Sequence, residues 1–213
     1  MAVTRKTGSA ESIHEMRVAL ARIRLWLKLA GHHALRDDAR WLRSAAAPIR
    51  DLDVLQSLHR RSKVSRLRER RRAEWRRLGE GLDSPRAGAL LDALAVLPPA
   101  PMHTVQRNTR RVIARCVALR RPGQRWTNDV ASLHRLRCAV RSVRYALETT
   151  GQPASHLVPL QDSLGEACDF AIALREARGK ARLRRALLRK QALASKRAQK
   201  QWNVLRRRLE ALL

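Results

Sequence analysis

The sequence predicts an all-α protein made of two pseudo-symmetric helical bundles that arose by internal duplication. Three observations carry this. Apolar residues recur at three- and four-residue steps in almost every stretch, while alternating patterns and β-branched residues are sparse. An eleven-residue segment, His14-Glu15-Met16-Arg17-Val18-Ala19-Leu20-Ala21-Arg22-Ile23-Arg24, has a second copy in His134-Arg135-Leu136-Arg137-Cys138-Ala139-Val140-Arg141-Ser142-Val143-Arg144. Further matches keep the same order: Gly31 pairs with Gly151 at the same offset of 120, and Leu42, Asp51 and Val54 pair with Leu160, Asp169 and Ile172 at an offset of 118. A two-residue deletion in one connecting turn explains the change of offset, and a duplicated unit of this length predicts two bundles.

Taken in order, the first helix starts at Ser12 as N-cap and stops at Gly31. A second covers Leu35 to Ala47, with Leu35, Ala39, Leu42 and Ala46 at helical spacing. Pro48 restarts the chain, and Arg50-Asp51-Leu52-Asp53-Val54-Leu55 opens a third segment. An arginine-laden helix follows over Val64 to Leu78, closed at Gly79 and Gly81. Ser84-Pro85 reads as N-cap and first helical residue of a short apolar helix to Leu97. Pro98-Pro99-Ala100-Pro101 divides the chain into a repeat at about 10–98 and another at about 102–213 within one domain. The second half has a helix from Thr104 to Arg121, a break at Pro122-Gly123, and the second motif helix, capped by Thr127 or Asn128 and ending near Gly151. Pro153 and Pro159 flank the turn into Leu160–Asp169. After Gly179 a long helix carries Leu183, Leu187, Ala194, Ala198, Trp202, Leu205 and Leu209 on one face.

Charge dominates the composition, with 46 Lys+Arg against 18 Asp+Glu, a formal net charge of +28. Such a surplus repels itself and calls for a polyanionic partner. Only seven of the 46 are Lys, and the arginine fork suits bidentate phosphate contact. Cys116, Cys138 and Cys168 are too scattered for a disulfide framework and read as reduced thiols. The polar start, Met1 to Ser12, has no signal-peptide core, and no apolar run reaches the ~20 residues of a bilayer span. The expectation is a cytoplasmic protein with no membrane insertion.

On a helix, His14, Arg17, Ala21 and Arg24 share about 80° of arc, as do His134, Arg137, Arg141 and Arg144. The apolar stripes Ile13, Met16, Leu20, Ile23, Leu27 and Leu133, Leu136, Val140, Val143, Leu147 run one residue out of step. Each basic stripe therefore borders a core and forms an anion site. Lys28 extends the first stripe, and Glu148 takes that place in the second.

These segments together resemble the CHAD domain, the conserved-histidine α-helical domain. The match rests on the two His-x-x-Arg motifs in order, the Arg-Asp-Leu-Asp-Val segment, Ser-Pro-Arg between the halves, Val143-Arg144-Tyr145-Ala146-Leu147-Glu148, and Leu160-Gln161-Asp162-Ser163-Leu164-Gly165-Glu166. It covers essentially the whole chain. The resemblance implies two four-helix bundles and inorganic polyphosphate as ligand, held without catalysis along a groove or pore between the bundles, with polyphosphate granules as the site of action. The polyphosphate-binding set is His14, Arg17, Arg22, Arg24, Lys28, Arg50, His134, Arg137, Arg141 and Arg144. Two departures make the halves unequal: Ala21 and Arg22 stand where the second copy has Arg141 and Ser142, and Cys168-Asp169-Phe170-Ala171 lacks the equivalents of Arg50 and Asp53.

Competing readings are weaker. His134 and Cys138 have the spacing of two zinc ligands, but Val18 stands in the matching place. Asp51, Asp53, Asp162, Glu166 and Asp169 suggest a Mg²⁺ site, yet so few carboxylates among so many arginines read as ion-pair partners. No cofactor, metal or catalytic residue is expected. A basic nucleic-acid-binding helical protein is the alternative. It would call for exposed aromatics, whereas aromatics make up 3% and Trp26, Trp41 and Trp202 lie on or near apolar stripes.

Overall fold

Side chains of Ser9, Ser84 and Asp129 cap described helices and set where they begin. The computed structural model describes residues 8–58, 64–120, 124–177 and 179–213, and its regular structure is entirely helical there. Two compact units divide it, Met1–Pro101 and Met102–Leu213.

The first unit contains α1 (Ala10–Ala30), α2 (Leu35–Ala45), α3 (Ala47–Leu58), α4 (Val64–Leu82) and α5 (Pro85–Ala95). Ser9, not Ser12, caps α1: the Ser12 N–H donates to Ser9 Oγ at 3.0 Å, and Ser12 is buried within the first turn. At the other end Gly31 takes φ 89°, a left-handed conformation open to glycine at little cost, and the His32 N–H returns to Leu27 O at 2.8 Å. Pro48 lacks the N–H that Ser44 O would accept, so α2 stops at Ala45, short of the expected Ala47, and α3 starts afresh. α4 does not close at Gly79 and Gly81 but runs through both to Leu82. A helical glycine costs about 1 kcal/mol. Burying Leu78 and Leu82 returns about 1.5–3 kcal/mol for each side chain. Burial overrides propensity here.

α2 is the hub of this unit, packing on α1, α3, α4 and α5. Its Ala39 and Leu42 meet Ile13, Met16, Leu20 and Leu27 of α1 in the core, while Ile23, Trp26, Trp41 and Trp75 pack against it only partly buried. The start of α1 is tied down by Arg71 of α4, whose Nη2 donates to Gly8 O and whose Nε donates to Asp53 Oδ1, both at 2.6 Å.

The second unit contains α6 (Met102–Ala118), α7 (Val130–Thr149), a 3₁₀ turn (Ser155–Leu157), α8 (Val158–Glu176) and α9 (Ala181–Glu210). α6 packs on α7, α7 on α8, α8 on α9, and α9 returns to α6. α6 ends at Ala118, short of the expected Arg121, with Leu119 and Arg120 already outside the helix; Arg121 and the break at Pro122-Gly123 lie outside the described residues. Asp129 caps α7 in place of Thr127 or Asn128, its Oδ2 accepting from the Ser132 N–H at 2.9 Å. Asn128 is occupied elsewhere, because Ser195 Oγ donates to its Oδ1 at 2.6 Å and itself accepts from Trp126 Nε1 at 2.8 Å. The buried Arg120 guanidinium lies 4.6 Å from the centre of the Trp126 ring. That lock fixes the approach to α7. Leu187, Ala194, Ala198, Trp202, Leu205 and Leu209 are buried along α9 as the periodicity requires, while Leu183 is half-buried.

No described helix is long and apolar enough to cross a membrane.

Candidate anion-binding site

Each unit carries one helix with the His-x-x-Arg motif, and the two differ in how their cations are held. On α1, turning 100° per residue, His14 shares an arc of about 80° with Arg17, Arg24 and Lys28, and Arg22 lies about 80° from His14 on the other side. His14 and Arg22 are exposed, and they line a cavity of about 520 Å³ together with Glu15, Val18, Ala19 and Ile23. Arg17, Arg24, Lys28 and, on α3, Arg50 are half-buried. The interruption at Pro48 leaves the last carbonyls of α2 open. Arg17 Nη1 donates to one of them, Arg43 O, at 2.9 Å. Arg43 is itself half-buried beside the motif, and sequence reasoning missed it because only the packing of α2 on α1 brings it there.

On α7 the set forms one connected strip. His134 is exposed, and its Nε2 lies 3.5 Å from Cys138 Sγ. Arg141 Nη2 donates to the same sulfur at 3.6 Å. Arg137 reaches across to α8, where its guanidinium seats on Gly165: a Cβ there would stand 3.4 Å from Nη2 and 3.6 Å from Cζ. The Cys168 thiol lies near it, its pKa raised by burial and partly pulled back by the Arg137 charge. Arg144 is different. Its Nε lies 3.2 Å from Glu148 Oε1, a salt bridge without hydrogen-bond alignment, and its guanidinium sits 5.0 Å from the Tyr145 ring centre.

Arg137 and Arg141 are therefore held by sulfur and by a bare patch of helix backbone, with no carboxylate partner among the described residues. Their charges stay available while their positions are fixed, which is what binding an anion chain requires. Cys138 is the hub of this strip. Its spacing, four after His134 and three before Arg141, makes that legible in sequence. The role of Gly165 is not, because it depends on the approach of α7 to α8.

The carboxylates weighed as metal ligands are dispersed. Asp53 is buried against Arg71, and Glu166 pairs with Arg197 of α9. Among the described residues no three His, Cys, Asp or Glu side chains gather closely enough to share a metal ion.

The family profile named CHAD domain matches residues 2–178, spanning α1 to α8 and leaving α9 outside. No curated protein shows significant similarity to the chain. The crystal structure of the CHAD domain from the plant Ricinus communis is similar in fold, with a TM-score of 0.63 and 23% identity over 99% of this chain and 83% of that one.

Proposed function

This chain belongs to the CHAD domain family, and from that premise we propose that it binds inorganic polyphosphate without catalysis, through the basic strips on α1 and α7. The carrying observation is the seating of Arg137 and Arg141 on Gly165, Cys168 and Cys138, which fixes two guanidinium forks without neutralising them. Arg17, braced on the Arg43 carbonyl, is the counterpart in the first unit. His14 and His134, both exposed, stand beside these forks. Arg24, Lys28, Arg22 and Arg50 widen the α1 strip, whereas Arg144 brings its own counterion in Glu148. The internal duplication belongs to the same reading, since it gives a linear ligand two comparable contact strips. Asp53 and Glu166 serve as arginine partners in this account and not as metal ligands. Granules rich in polyphosphate are the expected place of action.

The test is binding of labelled long-chain polyphosphate by the combined variant His14→Gln, Arg17→Gln, Arg137→Gln and Arg141→Gln. Charge-assisted hydrogen bonds are worth about 1.5–3 kcal/mol each, so affinity should fall about a hundredfold or more. Unchanged affinity in a folded variant would refute the site.

A further inference from the structure

The longest helix carries a charge pattern that neither strip uses. α9 holds eleven cations and one carboxylate in 30 residues. Its buried stripe, from Leu187 to Leu209, faces α8 and α6. On the opposite side Arg182, Arg185, Arg189, Lys196, Lys200 and Arg207 fall within about 60° of arc and run about 37 Å along the axis. All six are exposed, and none makes an ion pair or hydrogen bond among the described residues. A helix face that is merely solvated intersperses Glu with Lys or Arg at four-residue steps. Here Arg185–Arg189 and Lys196–Lys200 set like charges four apart. The row lies beyond residues 2–178, which the family profile matches.

We propose that this ridge is a second anion surface, and that it binds the phosphate backbone of duplex nucleic acid without regard to base sequence. The row lies on the outward face of one helix, and its length matches one turn of B-form duplex, about 34–36 Å. A rigid double helix can meet such a row along its whole length. The ridge carries no aromatic side chain, so the bases of a single strand find nothing to stack on. A duplex, with its bases inside, is held through backbone charge alone. Leu188, Leu193 and Val204 are the large apolar side chains exposed on α9, too few to anchor a helix in a membrane interface. The proposal is independent of polyphosphate binding at α1 and α7.

The test uses the full chain with all six cations changed to Gln, a good helix former that leaves the buried stripe intact, and a milder variant carrying Arg185→Gln, Arg189→Gln and Lys196→Gln. Affinity for a labelled duplex of about 21 base pairs, two helical turns, is measured from about 50 to 200 mM salt, beside a single strand of equal length and long-chain polyphosphate. Circular dichroism verifies the helices. With each phosphate contact contributing about 0.9 to the salt slope, the six-site variant should lose about five from it, and the three-site variant about half of that. Polyphosphate affinity should stay unchanged in both. Absent duplex binding by the unaltered chain, an unaltered slope in the variants, equal loss of polyphosphate binding, or a single strand held as tightly as duplex would each overturn the proposal.

Discussion

Replacing Arg71 with Met removes the clamp between α3, α4 and the start of α1. Arg71 donates to Asp53 Oδ1 and to Gly8 O, both at 2.6 Å. The side chains of the pair are 19% and 6% exposed, so the charges interact with little solvent screening. Met retains most of the apolar stem and leaves the Asp53 carboxylate buried without its counterion. Breaking a buried pair from one side costs about 3–5 kcal/mol. The lower end applies because Arg71 reaches solvent. About 3 kcal/mol corresponds to a fall in Tm of roughly 6–12 °C for a chain of this length. Thermal and urea unfolding, followed at Trp75 and by hydrogen exchange in α1 and α4, would measure it. The double variant Arg71→Met with Asp53→Leu removes both charges and should recover most of the loss. A loss below about 1 kcal/mol, the range of a surface pair, would refute the reasoning that Asp53 exists to hold Arg71.

Two further outcomes follow from the second unit. Gly165→Ala adds a Cβ at ordinary contact distance from Arg137 and gains helix propensity of about 1 kcal/mol, so Tm should rise about 2–4 °C with polyphosphate affinity unchanged. Gly165→Leu drives a side chain through the seat of the guanidinium and should cost about tenfold in affinity, or 1.4 kcal/mol; a folded Leu variant with full affinity would show that the seat is irrelevant. Asp129 is held below the usual carboxylate range by the Ser132 hydroxyl and N–H. Since its folded value lies below the unfolded one of about 3.9, the stability it lends α7 is present above that pH and is lost as pH falls through the folded value. Amide protection in α7, taken relative to the intrinsic exchange rate at each pH, should fall with acid in the native chain, and less so in Asp129→Asn, which keeps the cap but does not titrate.

Much of the helical order is legible in sequence because it rests on local rules. Gly31 ends α1 through its positive φ, Pro48 separates α2 from α3, and Ser84 caps α5 by accepting from the Ala87 N–H at 3.3 Å. Where the sequence reading misplaces an edge, tertiary contact decides. Asn128 has the chemistry of a cap but is held by Ser195, and Asp129 takes the role. Ser9 outcompetes Ser12 because Arg71 fixes the backbone at Gly8. Gly79 and Gly81 fail to stop α4 because Leu82 has a core to enter. The same division holds at the site. The arc of His134, Arg137, Arg141 and Arg144 follows from helical spacing alone. That Arg144 is neutralised by Glu148 is also spelled out by their four-residue separation. That Arg137 rests on Gly165 and Arg17 on the Arg43 carbonyl comes from which helices pack together, which no local pattern encodes.

The central claim is that fixed, unneutralised arginine forks select a bare phosphate chain over other polyanions. Its most direct test is displacement of labelled long-chain polyphosphate at about 150 mM salt, where the Debye length is about 8 Å. The competitors are unlabelled polyphosphate, duplex DNA and RNA at matched phosphate concentration. The account predicts that polyphosphate displaces the label and that neither nucleic acid does so at the same concentration. Equal displacement by all three would contradict it, and would reduce binding at these strips to the net charge of +28 alone.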